Sequence, residues 1–242
     1  MTLLWFSQQK PVGGESVLDG PYVIYRKDTT FVYTIQEKSG VRSLRTETFN
    51  GASRKNISFS VPTGNPDESF QVILKSRLQS EKSEYRKVSR QFAISDMEGN
   101  LKGFLKLLKG GKVIDDQFNW TFGDGHLVLT GDFFDRGRQV TELLWFIYSL
   151  EEKAKAAGGY VHFVLGNHEI MNLNGDFRYV HPRYMEHASL MKLDYLRLFD
   201  EQTELGRWLR TKNIVEKIGD VLYMHGGISS EVNQFNAASP KI

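Results

Sequence analysis

Hydrophobic and polar residues are arranged in two different ways along this chain, and the pattern changes between residues 80 and 91. Within residues 21–80, short runs of β-branched and aromatic residues alternate with turn-like pieces such as Asn50-Gly51, which predicts a small antiparallel β domain. We expect its five strands at residues 22–25, 31–35, 41–49, 57–61 and 70–74. Within residues 91–242, apolar strand patterns alternate with helical ones, which predicts an α/β (α+β) domain with a parallel or mixed sheet.

Four predicted strands of the second domain end in polar residues beside a glycine. They cover residues 91–95, 127–130, 160–165 and 221–224. Their ends carry, in chain order, Asp96 and Glu98, Asp132 and Asp135, Asn167 and His168, and His225. Because ligands bind beyond the carboxyl ends of strands in open α/β sheets, we expect these side chains to meet along one rim.

The composition restricts the kind of metal site that the chain can form, and its net charge indicates no particular binding partner. The chain has 242 residues, a hydrophobic content of 40% and a formal net charge of +2, which is too small to indicate nucleic acid or an anionic membrane as the main partner. There are no cysteines, so any metal must take oxygen and imidazole ligands.

The first residues allow two interpretations. Nothing in the sequence approaches the run of about twenty apolar residues that a membrane span needs. Residues 1–6 are apolar, and they are either the remnant of an export signal or anchor, or a frayed N-terminus. Under the first interpretation the protein is exported to the periplasm, whereas the second is compatible with the cytoplasm. We expect residues 1–20 to be a flexible leader and linker.

The rim supplies the ligands that two divalent cations need. Metals about 3.5–4 Å apart require a bridging carboxylate together with oxygen and imidazole ligands from several elements. Asp132 is best placed to bridge, and Asp96 and Glu98 lie two residues apart, so that both reach one metal. Asn167 offers an amide oxygen and His225 a ring nitrogen to the other metal.

Two further side chains are suited to phosphate chemistry. His168, next to a metal ligand, is expected to act as a general acid, and Arg136 to hold phosphate oxygens through paired hydrogen bonds. His162 alternates with core positions of its strand and is expected to be structural. We expect His181 and His187 at the surface, although one of them can reach the site from the long segment that follows residue 172.

Three motifs carry a resemblance to a known family. Residues 131–137 (Gly-Asp-Phe-Phe-Asp-Arg-Gly), 166–169 (Gly-Asn-His-Glu) and 225–227 (His-Gly-Gly) resemble those of the calcineurin-like metallophosphoesterases, closest to the phosphoprotein phosphatase branch. Flanking residues, among them Arg178 and Tyr179, are similar to the bacterial Shewanella-like phosphatases. The resemblance covers residues 91–229.

This resemblance implies a β-sandwich flanked by helices and assigns a role to each rim residue. It implies that Asp96 and Asp132 hold the first metal, and that Asp132, Asn167 and His225 hold the second. It also makes His168 the proton donor to the leaving group, paired with Asp135. Arg136 is then the residue that binds phosphate.

The chain departs from the family pattern in two places. Asp96-Met97-Glu98 stands where the family has Asp-x-His, so Glu98 either replaces the imidazole as an oxygen ligand, favouring Mn²⁺ or Mg²⁺, or leaves the first site weakened. The family also has a further metal-binding histidine well after His-Gly-Gly, and none follows His225 here. Either the sequence is a C-terminally truncated fragment or the second site lacks one ligand.

Two functional hypotheses follow. The first is a metal-dependent phosphatase that hydrolyses phosphomonoesters, of phosphoproteins or small molecules, with a hydroxide activated by two metal ions. Mn²⁺ is the first choice of metal, with Fe, Zn²⁺ and Mg²⁺ as alternatives. The second is a catalytically impaired descendant that binds phosphorylated or protein partners. Glu98 and the absent later histidine favour the second hypothesis, whereas the intact set from Asp132 to His168 favours the first.

Overall fold

The computed structural model describes residues 15–51 and 57–231. The apolar residues 1–6 and most of the predicted linker therefore lie outside the described residues, as does the end of the chain after residue 231. Within the described ranges, no helix is both long enough and apolar enough to cross a membrane.

The five predicted N-terminal strands are present, but they are divided between two sheets. β1 (Glu15–Arg26), β2 (Thr29–Lys38) and β3 (Val41–Asn50) form an antiparallel sheet in that order, and β4 (Ser58–Pro62) and β5 (Ser69–Ile73) form a separate hairpin. The expected alternation is clear in β5, where buried and exposed residues alternate along the whole strand.

The beginning of β1 corrects the predicted linker, because residues 15–20 belong to a strand. Asp19 is fully buried there and accepts hydrogen bonds from the Tyr22 hydroxyl at 2.7 Å and from His187 Nδ1 at 2.6 Å. Our placement of His187 at the surface is therefore wrong. Both errors have one physical cause, which is that a buried carboxylate and a buried imidazole satisfy each other across 168 positions of sequence.

Mixed α/β architecture follows in the second part, as predicted. Its strands are β6 (Glu84–Tyr85), β7 (Gln91–Ile94), β8 (His126–Thr130), β9 (Tyr160–Val164), β10 (Val215–Ile218) and β11 (Val221–Met224). β7, β8 and β9 form a parallel sheet, whereas β11 pairs with β10 in a second sheet that also contains β6. The fourth predicted rim strand thus belongs to a different sheet from the other three.

Helices surround these sheets. They are α1 (Leu101–Gly110), α2 (Val140–Ala156), α3 (Asn167–Asn174), α4 (Pro182–Leu190) and α5 (Glu204–Leu209), with a short 3₁₀ helix at Tyr195–Leu198. α2 is buried on most sides and packs against the β4–β5 hairpin, with the rings of Trp145 and Phe59 centred 4.9 Å apart. One hydrophobic core therefore joins the two parts in the described residues, and the division into domains 21–80 and 91–242 stays a prediction.

Candidate metal and catalytic site

The loops that follow β7 and β8 hold several non-glycine residues in the left-handed region of backbone space. Asp96 has a φ of 57°, Asp132 of 61°, Asp135 of 69° and Arg136 of 52°. Such backbone is uncommon outside glycine and persists where surrounding contacts determine it. Here the two loops are tied together, since the Asp96 N–H donates to Gly131 O at 3.1 Å and the Glu98 N–H to Asp132 O at 2.9 Å.

Glycine at position 131 allows three motifs to close on one another. A Cβ atom there would lie 2.5 Å from the Gly166 Cα and 3.0 Å from the His225 Cγ, and the φ of Gly131 is 84°. Any larger residue would push the loop after β9 and the end of β11 away from Asp132. The glycines that adjoin the predicted ligands therefore permit close approach of the backbone.

Asp96, Asp132 and His225 form the candidate metal centre. Their ligand atoms all lie within 4.8 Å of one another, and Asp132 Oδ2 is 3.0 Å from His225 Nε2. The other ring nitrogen of His225, Nδ1, donates to the backbone oxygen of Thr130 at 2.7 Å. This bond leaves Nε2 as the nitrogen that faces the carboxylates, which is the usual outer-shell arrangement for a metal-binding histidine. Two carboxylates and an imidazole suit a divalent cation such as Mn²⁺ or Zn²⁺.

The other two predicted ligands are placed differently. Asn167 is the exposed first residue of α3, directly after Gly166, which contacts Asp132. Glu98 is not part of the cluster, because its carboxylate forms an ion pair with the guanidinium of Arg136. Of the five predicted ligands, the described structure brings three together and directs Glu98 towards Arg136, whereas Asn167 begins α3 directly after Gly166 and its role as a ligand stays a prediction.

His168 lies against this cluster and is held by a buried network. It is 3% exposed, its Nδ1 donates to Asp135 Oδ2 at 2.6 Å, and its Nε2 lies 3.8 Å from Asp132 Oδ2. Asn172 Nδ2 donates to Asp135 Oδ1 at 2.8 Å, and the Tyr195 hydroxyl donates to Asn172 Oδ1 at 2.8 Å. Burial, together with the charge of Asp135, raises the pKa of Tyr195, which keeps this hydroxyl a donor. The network fixes the ring so that Nε2 faces the cluster.

An aromatic ring and two guanidinium groups border the site. Tyr179 is 44% exposed, its ring centre lies 5.2 Å from that of His168, and its backbone oxygen accepts the Arg136 N–H at 3.0 Å. The guanidinium carbon of Arg136 lies 5.6 Å from the Tyr179 ring centre and that of Arg178 lies 5.7 Å from it. Each guanidinium is paired with a carboxylate, Arg136 with Glu98 and Arg178 with Asp176. The opening therefore presents an aromatic ring and two guanidinium groups that can exchange a carboxylate for another anionic group.

Glu169 is a residue to which the sequence analysis gave no role. Its carboxylate, fully buried, accepts four backbone N–H groups, from Asp132 at 2.8 Å, Phe133 at 2.7 Å, Phe134 at 3.2 Å and Gly166 at 2.7 Å. Burial raises the pKa of Glu169, and these hydrogen bonds oppose that effect. The signal that could have found it is its place three residues after the helix N-cap, the acidic position of a capping box. Asn172 was also missed, although it lies one helical turn after His168.

Replacing Glu169 with glutamine should destabilise the loop that carries Asp132. An amide has one acceptor oxygen where the carboxylate has two, so at least one buried N–H loses its partner, at a cost of about 1–3 kcal/mol. We expect a lower melting temperature and a loss of catalytic activity that exceeds the loss of folded protein. Glu47→Gln, in a partly exposed pair with Arg45, is the matched control. An unchanged melting temperature would show that Glu169 does not order the loop.

Comparison with known proteins confirms the resemblance drawn from the motifs. Residues 90–240 match the family model described as calcineurin-like phosphoesterase. Shewanella-like protein phosphatase 2 of Arabidopsis thaliana is 39% identical over 102 residues, which are 42% of this chain and 26% of that protein. Shewanella-like protein phosphatase 1 of Plasmodium berghei (strain Anka) is 28% identical over 149 residues, 60% of this chain and 40% of that protein. The chain thus matches between about a quarter and two fifths of the length of these curated relatives.

Solved structures extend the likeness into the N-terminal strands. A cold-active protein tyrosine phosphatase solved at 1.1 Å is 43% identical with a TM-score of 0.78, covering 89% of this chain and 62% of that one. The cold-active protein-tyrosine phosphatase of a psychrophilic Shewanella species is 42% identical with a TM-score of 0.77, covering 89% and 63%. Coverage of 89% exceeds what residues 91–242 alone supply, so the likeness extends beyond residues 91–229, to which the motifs confined it.

Proposed function

Because the chain belongs to the calcineurin-like phosphoesterase family, we propose that it is a phosphatase that hydrolyses phosphomonoesters with the help of two divalent metal ions. The observation that carries this proposal is the convergence at Asp132, whose Oδ2 lies 3.0 Å from His225 Nε2 and 3.8 Å from His168 Nε2. The carboxylate of Asp132 is therefore close both to another candidate metal ligand and to the candidate proton donor.

Asp96, Asp132 and His225 have the donor types to hold the metals, with the amide oxygen of Asn167 as a further ligand. Asp132 is the shared residue, because it lies between the loops that carry the other ligands. When bound, divalent ions supply Lewis-acid neutralisation of the phosphate charge and lower the pKa of a water molecule. The fixed tautomer of His225 supports this assignment, since its Nδ1 is already committed to Thr130 O.

His168 is proposed to hold the proton that goes to the leaving-group oxygen. Asp135 accepts from Nδ1, so Nε2, the nitrogen that faces the cluster, carries the proton to be donated when the ring is protonated on both nitrogens. The buried Asn172 fixes Asp135 from its other oxygen, and the imidazole cannot rotate without breaking its bond to Asp135. Donation by such a positioned group contributes about 10²–10⁴-fold to a rate.

Arg136 is proposed to bind the phosphate oxygens, and Glu98 to position Arg136 until substrate arrives. The Arg136 side chain is 54% exposed, so it can exchange the carboxylate of Glu98 for a phosphate without breaking a buried contact. Its stacking near Tyr179 keeps the guanidinium at the opening. In this proposal Glu98 is a competitor of phosphate and no longer a metal ligand.

Replacing Glu98 with glutamine separates these two roles. If Glu98 only pairs with Arg136, the variant should keep its metal content, and inorganic phosphate should inhibit it about two- to fivefold more tightly, the range of a partly exposed ion pair. Elemental analysis and phosphate inhibition constants of both forms are the measurements, with Glu152→Gln as an exposed control. A clear loss of metal in the Glu98 variant would restore the original assignment as a ligand.

Phosphotyrosine in proteins is the proposed substrate class. Two solved structures with 42–43% identity are described as protein tyrosine phosphatases, and the exposed ring of Tyr179 beside Arg136 offers a stacking surface for an aryl phosphate. The test compares a phosphotyrosine peptide with a phosphoserine peptide of the same sequence, and p-nitrophenyl phosphate with its diester, in the presence of Mn²⁺. We expect monoester turnover and a preference for phosphotyrosine.

Absence of turnover with all of these substrates would contradict the proposal. If the chain then still bound the phosphotyrosine peptide, the non-catalytic binding hypothesis would replace it. Turnover of the diester alone would keep the family chemistry and overturn the monoester assignment.

A further inference from the structure

Strands β10 and β11 lead to His225 in the candidate metal centre, but they contribute little to the hydrophobic core. Ile218 is the one buried hydrophobic residue in the described part of these two strands, and it lies outside the core cluster. Val221 and Leu222 of β11 are 44% and 50% exposed. The position of His225 relative to the other ligands therefore depends mainly on polar contacts between this sheet and the parallel sheet of β7, β8 and β9.

A fully buried polar contact between the two sheets joins His162 of β9 to Glu216 of β10. Both side chains are 0% exposed, and His162 Nδ1 donates to Glu216 Oε2 at 2.5 Å. Glu216 Oε1 accepts from Asn213 Nδ2 at 3.0 Å, so that each carboxylate oxygen has a donor. A hydrogen bond to a carboxylate is charge-assisted and roughly twice as strong as one between neutral groups. This contact therefore fixes β10 against β9 in both distance and direction.

His126 of β8 extends the contact to a third strand. Its Nδ1 lies 2.8 Å from Nε2 of His162, and the Tyr85 ring of β6 packs edge-on against the His162 ring with centres 4.4 Å apart. Burial, reinforced by the charge of His162 and opposed by that of Asp124, lowers the pKa of His126 to about 4, so that this ring is neutral at pH 7. A neutral His126 shares one hydrogen with His162 Nε2, since the hydrogen on Nδ1 is committed to Glu216. These partners leave the His162 ring a single orientation.

The strand register connects this contact to the metal centre. Glu216 lies opposite Tyr223 in the pairing of β10 with β11, and Tyr223 is two residues before His225. We propose that His162 and Glu216 are positioning residues for the metal centre, because they hold β10, and with it β11, against the sheet whose loop carries Asp132. His225 Nε2 is thereby kept 3.0 Å from Asp132 Oδ2. This inference rests on the metal centre proposed above, and it does not require that the reaction be phosphomonoester hydrolysis.

Replacing His162 with phenylalanine tests the proposal through metal binding. Phenylalanine keeps a ring against Tyr85 but removes the donor to Glu216, so that β10 must shift to hydrate the buried carboxylate. We expect Mn²⁺, titrated into the chelator-stripped chain and followed by calorimetry, to bind with a dissociation constant about tenfold or more above that of the wild type, as for loss of an outer-shell partner. At saturating Mn²⁺ the variant should regain most of the wild-type kcat, which a general loss of folded protein would prevent.

A double variant, His162→Phe with Glu216→Leu, guards against failure of the single variant to fold. It removes the unpaired buried charge, and apolar replacement of a buried pair is often neutral or stabilising. We expect the same weakening of Mn²⁺ binding, because apolar contacts do not fix direction as the hydrogen bond does. The melting temperature of each variant is measured on the same preparation.

Two control variants separate positioning from general stability. His187→Phe removes the other fully buried pair of this type in the described residues, between His187 Nδ1 and Asp19 Oδ2 at 2.6 Å, which joins α4 to β1. Lys217→Gln changes an exposed residue of β10 next to Glu216. Both controls should bind Mn²⁺ as tightly as the wild type.

Weaker binding in the single and double His162 variants, together with wild-type binding in both controls, supports the proposal. Wild-type affinity in the His162 variants, or an equal loss in His187→Phe, overturns it, because the pair then contributes only to general stability. Absence of Mn²⁺ binding by the wild-type chain overturns the metal centre and this inference together. Binding that weakens in the His162 variants of a chain without phosphomonoester turnover supports the positioning role and contradicts the proposed reaction alone.

Discussion

Replacing Asp132 with asparagine should abolish phosphomonoester turnover and lower the bound metal while the fold is retained. The carboxylate faces His225 Nε2 at 3.0 Å and belongs to the three-residue cluster, so its charge contributes to every metal position that we propose. Asparagine preserves the shape of the side chain. Its Oδ1 can still accept the hydrogen bond that the backbone N–H of His168 donates to Asp132 Oδ1 at 3.1 Å. We expect a fall in kcat of about 10³-fold or more, because a metal supplies several kcal/mol of charge stabilisation.

Asp220→Asn is the control for this variant, because Asp220 is 89% exposed and distant from the cluster. Elemental analysis, melting temperature and p-nitrophenyl phosphate turnover are measured on the same preparations. A variant with wild-type metal content and rate would show that Asp132 is not a shared ligand. A variant that fails to fold would leave Asp96→Asn, at an exposed member of the cluster, as the decisive substitution.

Replacing His168 with alanine should reduce kcat by about 10²–10⁴-fold with little change in metal content. The ring is held by Asp135 and faces the cluster with Nε2, so its removal deletes a proton donor and leaves the proposed ligands in place. The loss should depend on the leaving group. An aryl phosphate such as p-nitrophenyl phosphate needs little protonation of its leaving group, whereas an alkyl phosphate needs full protonation.

The comparison of aryl and alkyl substrates therefore serves as the internal control for His168. An equal loss for both would argue that the ring has a structural role or binds substrate without donating a proton. Asn172→Ala provides a second readout, because it leaves His168 in place and removes one of the hydrogen bonds to Asp135. We expect a smaller loss with the same dependence on the leaving group.

The local pattern of hydrophobic and polar residues was enough to predict most strands. It failed where pairing between residues far apart in the sequence determines the structure. β5 was predictable because its buried Phe70 and Val72 alternate with exposed neighbours. β11 was also predicted, but Val221 and Leu222 are exposed, and nothing in their hydrophobicity shows that β10 is their partner. The helices after residue 172 were not predicted, because that segment is rich in Arg, Tyr and His and its hydrophobic residues are less regularly spaced.

Convergence of the rim was predictable because loops after parallel strands meet at one edge of a sheet. Asp132 and His168 are brought together in this way, and His225 joins them from a second sheet. The direction of Glu98 was not predictable from its spacing to Asp96. It depends on the left-handed backbone at Glu98, with a φ of 44°, and on the guanidinium of Arg136, which lies 38 residues later in the chain.

The most direct test of the proposed metal-dependent phosphatase activity measures turnover and metal content on the same preparation. The chain is stripped with a chelator, dialysed and titrated with Mn²⁺ while p-nitrophenyl phosphate turnover is followed. We predict that activity is lost with the metal and returns in proportion to occupancy, reaching its limit at two ions per chain in the wild type and remaining low in Asp132→Asn. Full turnover by the metal-free chain, or full metal occupancy without turnover, would contradict the proposed reaction.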